Sequence, residues 1–197
     1  MTINFIKTLK YETKPQNGDV FEYLSKLTMQ EIDPPSTSDI CIQTNSKIVF
    51  HSPLKRVIQT LELKSDTQYI ETDKLKEILF NLKELCTKQE WEKEKSEIVR
   101  ERFKTAFIND QLPIKRVIIF DEIKEVLNDC LSQDTDNVTV ISHSFRLKLI
   151  QAFIETQGKI INNPHLIHRY IEKDKKTFEF GGGFSVQKEN LFFLLDG

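Results

Sequence analysis

The chain has 197 residues, 39% of them hydrophobic and 29% charged, and its 28 Lys and Arg against 30 Asp and Glu give a formal charge of −2. That size suffices for one substantial core, and the composition excludes a disordered or fibrous chain. The near-neutral balance excludes a global field that would draw in nucleic acid or an anionic membrane, so neither is expected as a partner and any phosphate affinity must be local.

In chain order, the run INFIK at 3–7 predicts a short buried strand, and no signal peptide is expected because Lys7 and Lys10 follow that run at once. Residues 34–45, opening on PPSTSD, have loop composition. KIVFHS at 47–52 predicts a second strand ending sharply at Pro53, and Leu54, Val57, Ile58 and Leu61 at helical spacing predict a helix over 53–63. A highly charged helical stretch follows, with Trp91, Ile98, Val99, Phe103 and Phe107 on one face; its plain reading is a solvated helix with a core stripe. A further helix is expected from Lys115 or Asp121 to Leu131, although VIIF at 117–120 also suits a strand.

NVTVIS at 137–142 followed by FRLKLIQAFIET repeats the strand-to-helix junction, with Leu147, Ile150 and Ile154 as one stripe. At the end, TFEFGGGFSVQKENLFFLLD predicts two antiparallel strands joined by a turn near 188–190. Two strand-to-helix junctions imply a sheet with helices on its faces. No linker or repeat divides the sequence, so one domain over 1–197 is expected, with 72–112 as a helical excursion over the sheet. Cys41, Cys86 and Cys130 form no CxxC pair and read as reduced thiols, and no run is long enough to span a bilayer; a cytoplasmic location is the default expectation.

The segment HSPLKRVIQT at 51–60 places Arg56 one turn beyond a strand end, where a guanidinium beside free backbone N–H groups makes an anion seat. Alone, such an Arg more often faces solvent. In context, the segment resembles the histidine phosphatase (phosphoglycerate mutase-like) superfamily, whose strand ends in Ser-Ser-Pro and runs through Leu-x-Arg to Gln-Thr. Ser52, Pro53, Leu54, Arg56, Gln59 and Thr60 match, and His51 replaces the first serine. VISHSFRLKLI is similar to the family's late strand-His-helix motif, with His143 as the second active-site histidine, and LKEI at 75–78 resembles the segment carrying the proton-donating acid, which falls on Glu77.

The resemblance implies a three-layer α/β fold, a central and mostly parallel sheet with helices on both faces and a helical insertion over the active-site end. It implies a phosphate pocket in which a histidine of an Arg-His-Gly motif after the first strand attacks phosphorus. That motif fails here. Aligned without a gap from the strand, Lys7, Thr8 and Leu9 take its three places; aligned on Glu12-Thr13, Leu9, Lys10 and Tyr11 do. Thr8 lacks an evident base, Lys10 is protonated unless buried, and Lys7 offers charge without arginine's planar fork.

The expected site is therefore Arg56, Ser52, Lys7 and His143 for phosphate, with His143, Glu77 and His51 as candidate catalytic groups and Thr8 or Lys10 at the degenerate nucleophile position. His51 is more simply a packed strand-end histidine. His165 and His168 make too weak a set for a metal and read as a surface helix; Gly181, Gly182 and Gly183 read as a bulge or tight crossing; Arg146 and Lys148 read as surface charges, with a place flanking the pocket mouth as the alternative for Lys148. No cofactor or metal is expected. The resulting expectation is a pseudo-phosphatase that binds a phosphate-containing small molecule or a phosphoprotein. The alternatives are a hydrolase of altered mechanism and a structural subunit that uses the surface around Trp91.

Overall fold

The computed structural model describes residues 1–15, 17–172 and 178–195. Five strands form one sheet: β1 (Thr2–Lys7), β2 (Ile48–His51), β3 (Gln68–Glu71), β4 (Asn137–Ser142) and β5 (Gly183–Gln187), in the order β3-β2-β4-β1-β5. The first four are mutually parallel, and β5 runs antiparallel to β1. β4 is central and buried along almost its whole length: Val138, Val140 and Ile141 suit a strand covered on both faces, and the buried hydroxyls of Thr139 and Ser142 are hydrogen-bonded.

One face carries the main core. Ile3, Phe5, Phe50, Val138 and Val140 point into it and meet α1 (Val20–Thr28), α5 (Ser96–Ile108), α6 (Arg116–Leu131) and α7 (Ser144–Glu155). A ladder of rings fills it, including Phe120 against Phe153 at 5.7 Å and Phe80 edge-on to Phe103 at 5.5 Å. The other face is thinner. There Val49 and Ile141 pack against Leu9, Ile42, Leu61 and Val57 of α2 (Lys55–Ile58), with loop making up much of the layer.

Local sequence explains some boundaries. The Asp19 carboxylate accepts from Phe21 N–H and starts α1, and Thr87 with Glu90 forms a capping box on α4 (Lys88–Glu94). Between 72 and 112 lie a 3-10 turn (Asp73–Leu75), α3 (Leu82–Leu85), α4 and α5. The expected single stripe is broken at Lys95, whose φ of +53° ends α4 and opens α5, but Ile98, Phe103 and Phe107 remain buried and Trp91 packs on Phe21. Residues 117–120 are helical within α6.

Two expectations need correction. The helix over 53–63 is a single turn, because Thr60 donates its hydroxyl to the carbonyls of Arg56 and Val57 and the chain leaves the turn there to pair Leu61 with Ile42. The C-terminal run yields one edge strand, β5; NLFFLL, expected as its hairpin partner, lies in a 3-10 helix (Lys188–Leu194) whose Leu191 is buried in the main core. The sequence reading also missed β3 and α1.

The glycine cluster is a tight crossing, as expected: Gly181 has φ +75°, and a Cβ at Gly183 would collide with the Phe5 carbonyl. His165 and His168 sit exposed on a 3-10 helix (Pro164–Arg169). Among the described residues, no cluster of three metal-ligating side chains is present and no helix is long and apolar enough to cross a membrane.

Candidate active site

Because β1, β4 and β2 are parallel neighbours, their C-terminal ends bring three short segments side by side: Lys7-Thr8, Ser142-His143 and His51-Ser52. The outer ends of parallel strands are where α/β folds place ligands. Thr8 N–H donates to the Ser142 carbonyl at 2.9 Å, so Thr8 lies beside the strand end that leads to His143. The Thr8 hydroxyl is buried and donates to the Arg56 carbonyl at 3.1 Å. Lys10 is exposed, and its carbonyl is held by Ser36 and Thr37.

His143 ends the β4 segment and opens α7 without capping it through its side chain. Its Nε2 lies 3.0 Å from Ser52 Oγ, which also accepts from Leu54 N–H at 3.4 Å. The imidazole is 2% exposed. Burial, reinforced by the positive charges of Arg56, Arg146 and Lys7, holds it well below the usual histidine range, so it is neutral at pH 7. The neutral ring carries a single N–H, and its tautomer sets whether Nε2 or the Ser52 hydroxyl is the donor between them.

Glu77 follows the 3-10 turn of Asp73–Leu75 instead of lying on a helix, and Gln30 pins its backbone by donating to its carbonyl at 2.8 Å. Its Oε1 accepts from Ile78 N–H and Arg146 N–H at 3.0 Å each, and its Oε2 accepts from Phe145 N–H at 3.3 Å. The carboxylate thus takes the free donors at the start of α7, the place a helix offers to an anion. Burial pushes its pKa up, opposed by those three hydrogen bonds and by the Arg56 charge.

Arg56 is not exposed at a helix terminus: it is 2% exposed, on a four-residue turn. Asp33, which sequence reasoning missed, grips this turn with both oxygens, accepting from Lys55 N–H at 2.8 Å and from Arg56 Nη1 at 3.4 Å. Tyr11 lies under the guanidinium at 4.6 Å, and Arg56 Nε is buried without a partner. The expected seat of free N–H groups is therefore occupied by an internal carboxylate. No pattern around the single Asp in EIDPP announces this role.

Lys7 donates to the Phe178 carbonyl at 3.0 Å and lies 4.1 Å from the centre of the Phe180 ring. Burial lowers its pKa, and the Glu77 charge partly restores it. Lys148 stands 4.3 Å from the Phe178 ring. Arg146 and Lys148, expected at the surface, are both buried, because α7 packs under the C-terminal segment and against α6. His51 is turned away from this group: its Nδ1 contacts the Ser52 carbonyl at 3.1 Å and its ring lies 6.5 Å from Tyr69, on the side of the thin layer.

The strand ends thus bring together Lys7, Thr8, Ser52, Arg56, Glu77 and His143 and leave out His51 and Lys10. Chemically, the group offers a neutral imidazole, a carboxyl with a raised pKa and two cations, each cation engaged by an oxygen of the chain.

Comparison with solved structures gives the same architecture. A mycobacterial glucosyl-3-phosphoglycerate phosphatase superposes with a TM-score of 0.52 at 9% identity, covering 91% of this chain and 86% of its own. The alpha-ribazole phosphatase from Shigella flexneri gives 0.50 at 14% identity, with 92% and 87% covered. The phosphoserine phosphatase of Entamoeba histolytica, in complex with 3-phosphoglyceric acid, gives 0.50 at 16%, with 96% and 98% covered. At these identities the likeness is one of fold. No curated protein sequence matches the chain significantly. Residues 41–167, which contain Ser52, Arg56, Glu77 and His143, match the histidine phosphatase superfamily (branch 1), and the chain belongs to that superfamily.

Proposed function

We propose that this protein is a pseudo-phosphatase: a histidine phosphatase fold that keeps part of the phosphate pocket and binds a phosphorylated ligand or phosphoprotein without phosphoryl transfer through histidine. The observation that carries this reading is the end of β1. Where the family's nucleophilic imidazole is expected, Thr8 lies beside the Ser142-His143 junction with its hydroxyl committed to the Arg56 carbonyl. The chain's first histidine is His51, whose ring packs near Tyr69 on the other side of the sheet end. A threonine hydroxyl without a base is a poor nucleophile, and its phosphate ester would hydrolyse slowly.

Burial also counts against turnover. Arg56, His143, Thr8 and Ser52 are all closed off from solvent, and Asp33 and Glu77 occupy the backbone donors beside them, so a phosphate reaches Arg56 only by displacing the Asp33 carboxylate. The interaction-subunit reading draws no support from Trp91, which is packed on Phe21 and capped by Lys95 at 4.3 Å.

The test pairs p-nitrophenyl phosphate turnover with the dependence of Tm on inorganic phosphate, for wild type, Arg56→Ala and His143→Ala. The expected result is no turnover, with a phosphate-dependent rise in Tm that Arg56→Ala abolishes; 100-fold excess over Kd stabilises by about 2.7 kcal/mol. Turnover lost in both variants would overturn the pseudoenzyme reading in favour of a hydrolase of altered mechanism.

A further inference from the structure

Arg146 is among the largest fully buried side chains of the protein. Its guanidinium spans two neighbours: Nε donates to the Lys76 carbonyl at 3.0 Å, and Nη2 meets Glu122 Oε2 of α6 at 2.9 Å. Nη1 is buried without a hydrogen-bond partner. Its own backbone N–H donates to Glu77 Oε1 at 3.0 Å. One residue therefore holds the Lys76-Glu77 pair twice, by the carbonyl of the first and the carboxyl of the second.

A buried ion pair is usually no more stabilising than well-packed apolar residues, and an orphaned Nη1 adds a desolvation cost. Stability alone does not account for this arrangement, whereas geometry at Glu77 does.

We propose that Arg146, oriented by Glu122, is a positioning residue that fixes the Glu77 carboxyl at the head of α7. Its relevance to function rests on the reading of Glu77 as part of the site, while its test reads Glu77 directly and needs no phosphate. The charged and titratable groups around that carboxyl are Arg56 from the α2 turn, Lys7 from β1, Tyr11 beyond it and Arg146 from α7. Neutral His143 shares Arg56, Arg146 and Lys7 as neighbours.

The two members of the pair act on Glu77 with opposite signs. Arg146→Met removes a nearby cation and one of the two grips, so the Glu77 pKa should rise by roughly one pH unit; Glu122→Gln leaves Arg146 uncompensated, so it should fall. A purely structural pair gives no such split, since loss of either partner loosens the same packing.

The experiment is carboxyl-carbon NMR titration of the full chain labelled at glutamate, with the Glu77 signal assigned by its loss in Glu77→Gln, alongside Tm for each variant. The expected result is shifts of opposite sign for Arg146→Met and Glu122→Gln while Tm falls in both. Arg146→Lys, which keeps the charge, should recover most of the wild-type titration. The double variant Arg146→Met with Glu122→Gln should regain Tm and keep the raised titration. An unchanged Glu77 titration in Arg146→Met, or shifts of one sign that follow Tm, would overturn the proposal. Failure of phosphate to raise the wild-type Tm would bear only on the pseudo-phosphatase reading.

Discussion

Burial acts in opposite directions on the two titratable groups that meet at the head of α7, because it disfavours the charged form of each. For His143 the folded value lies below 6.5, so its contribution to stability is complete above the unfolded pKa and is lost as pH falls through the folded one. For Glu77 the folded value lies above 4.5, so its contribution is complete in acid and is lost as pH rises through the folded value. His143→Gln should therefore shrink the stability difference between about pH 7 and pH 5 by about 1–2 kcal/mol, measured by urea unfolding. A variant with the wild-type difference would mean that the imidazole is already charged or solvated. Glu77→Gln should instead flatten the loss seen on raising pH from about 4.5 to neutrality.

At this scale the sequence singled out residues where a motif surrounded them. Ser52, Arg56, Glu77 and His143 were legible, and the structure brings all four to one place. Asp33, Tyr11 and Arg146 were not, since each acts through a contact with residues distant in sequence: Asp33 with Arg56, Tyr11 beneath it and Arg146 with Glu122.

Among the elements, β5 depends most on a single residue. Gly183 pairs with Ile6 at the point where the chain comes too close to the Phe5 carbonyl for any side chain. Gly183→Ala must push β5 off β1, at an expected cost of about 3 kcal/mol, and should appear as a lowered urea midpoint with loss of protection at the Val186 amide. Thr2 and Asn4, whose amides face β4, should keep theirs if the strain stays at the edge.

The α2 turn shows where periodicity misleads. Its apolar spacing fits a three-turn helix, but Thr60 turns its hydroxyl to the Arg56 and Val57 carbonyls, and Leu61 finds a partner in Ile42. Likewise NLFFLL has strand composition, yet burying Leu191 in the main core outweighs that propensity, which is only weakly intrinsic.

Over the whole molecule, the two faces of the sheet differ in depth, and stability should follow. The main core holds the rings and four helices, while the other face rests on six buried apolar residues and much loop. Native-state hydrogen exchange should therefore find the slowest amides in β4 and its partner β1, exchanging only on global unfolding. The amides of Ile42, Gln59 and Thr60 should exchange through a smaller opening. Equal protection in both regions would show that the thin layer unfolds with the core.

The sequence alone determined the α/β class, the parallel strand-to-helix junctions and the family, because those rest on short-range pattern: apolar runs of strand length, helical stripes and motifs read along the chain. Only the tertiary structure decided that β3 and α1 complete the frame and that the end of the chain contributes one strand. It also decided that Asp33 and Glu77 sit on the backbone donors of the site. Those outcomes turn on which buried polar groups find partners across the fold, and such partners are separated by tens of residues in the chain.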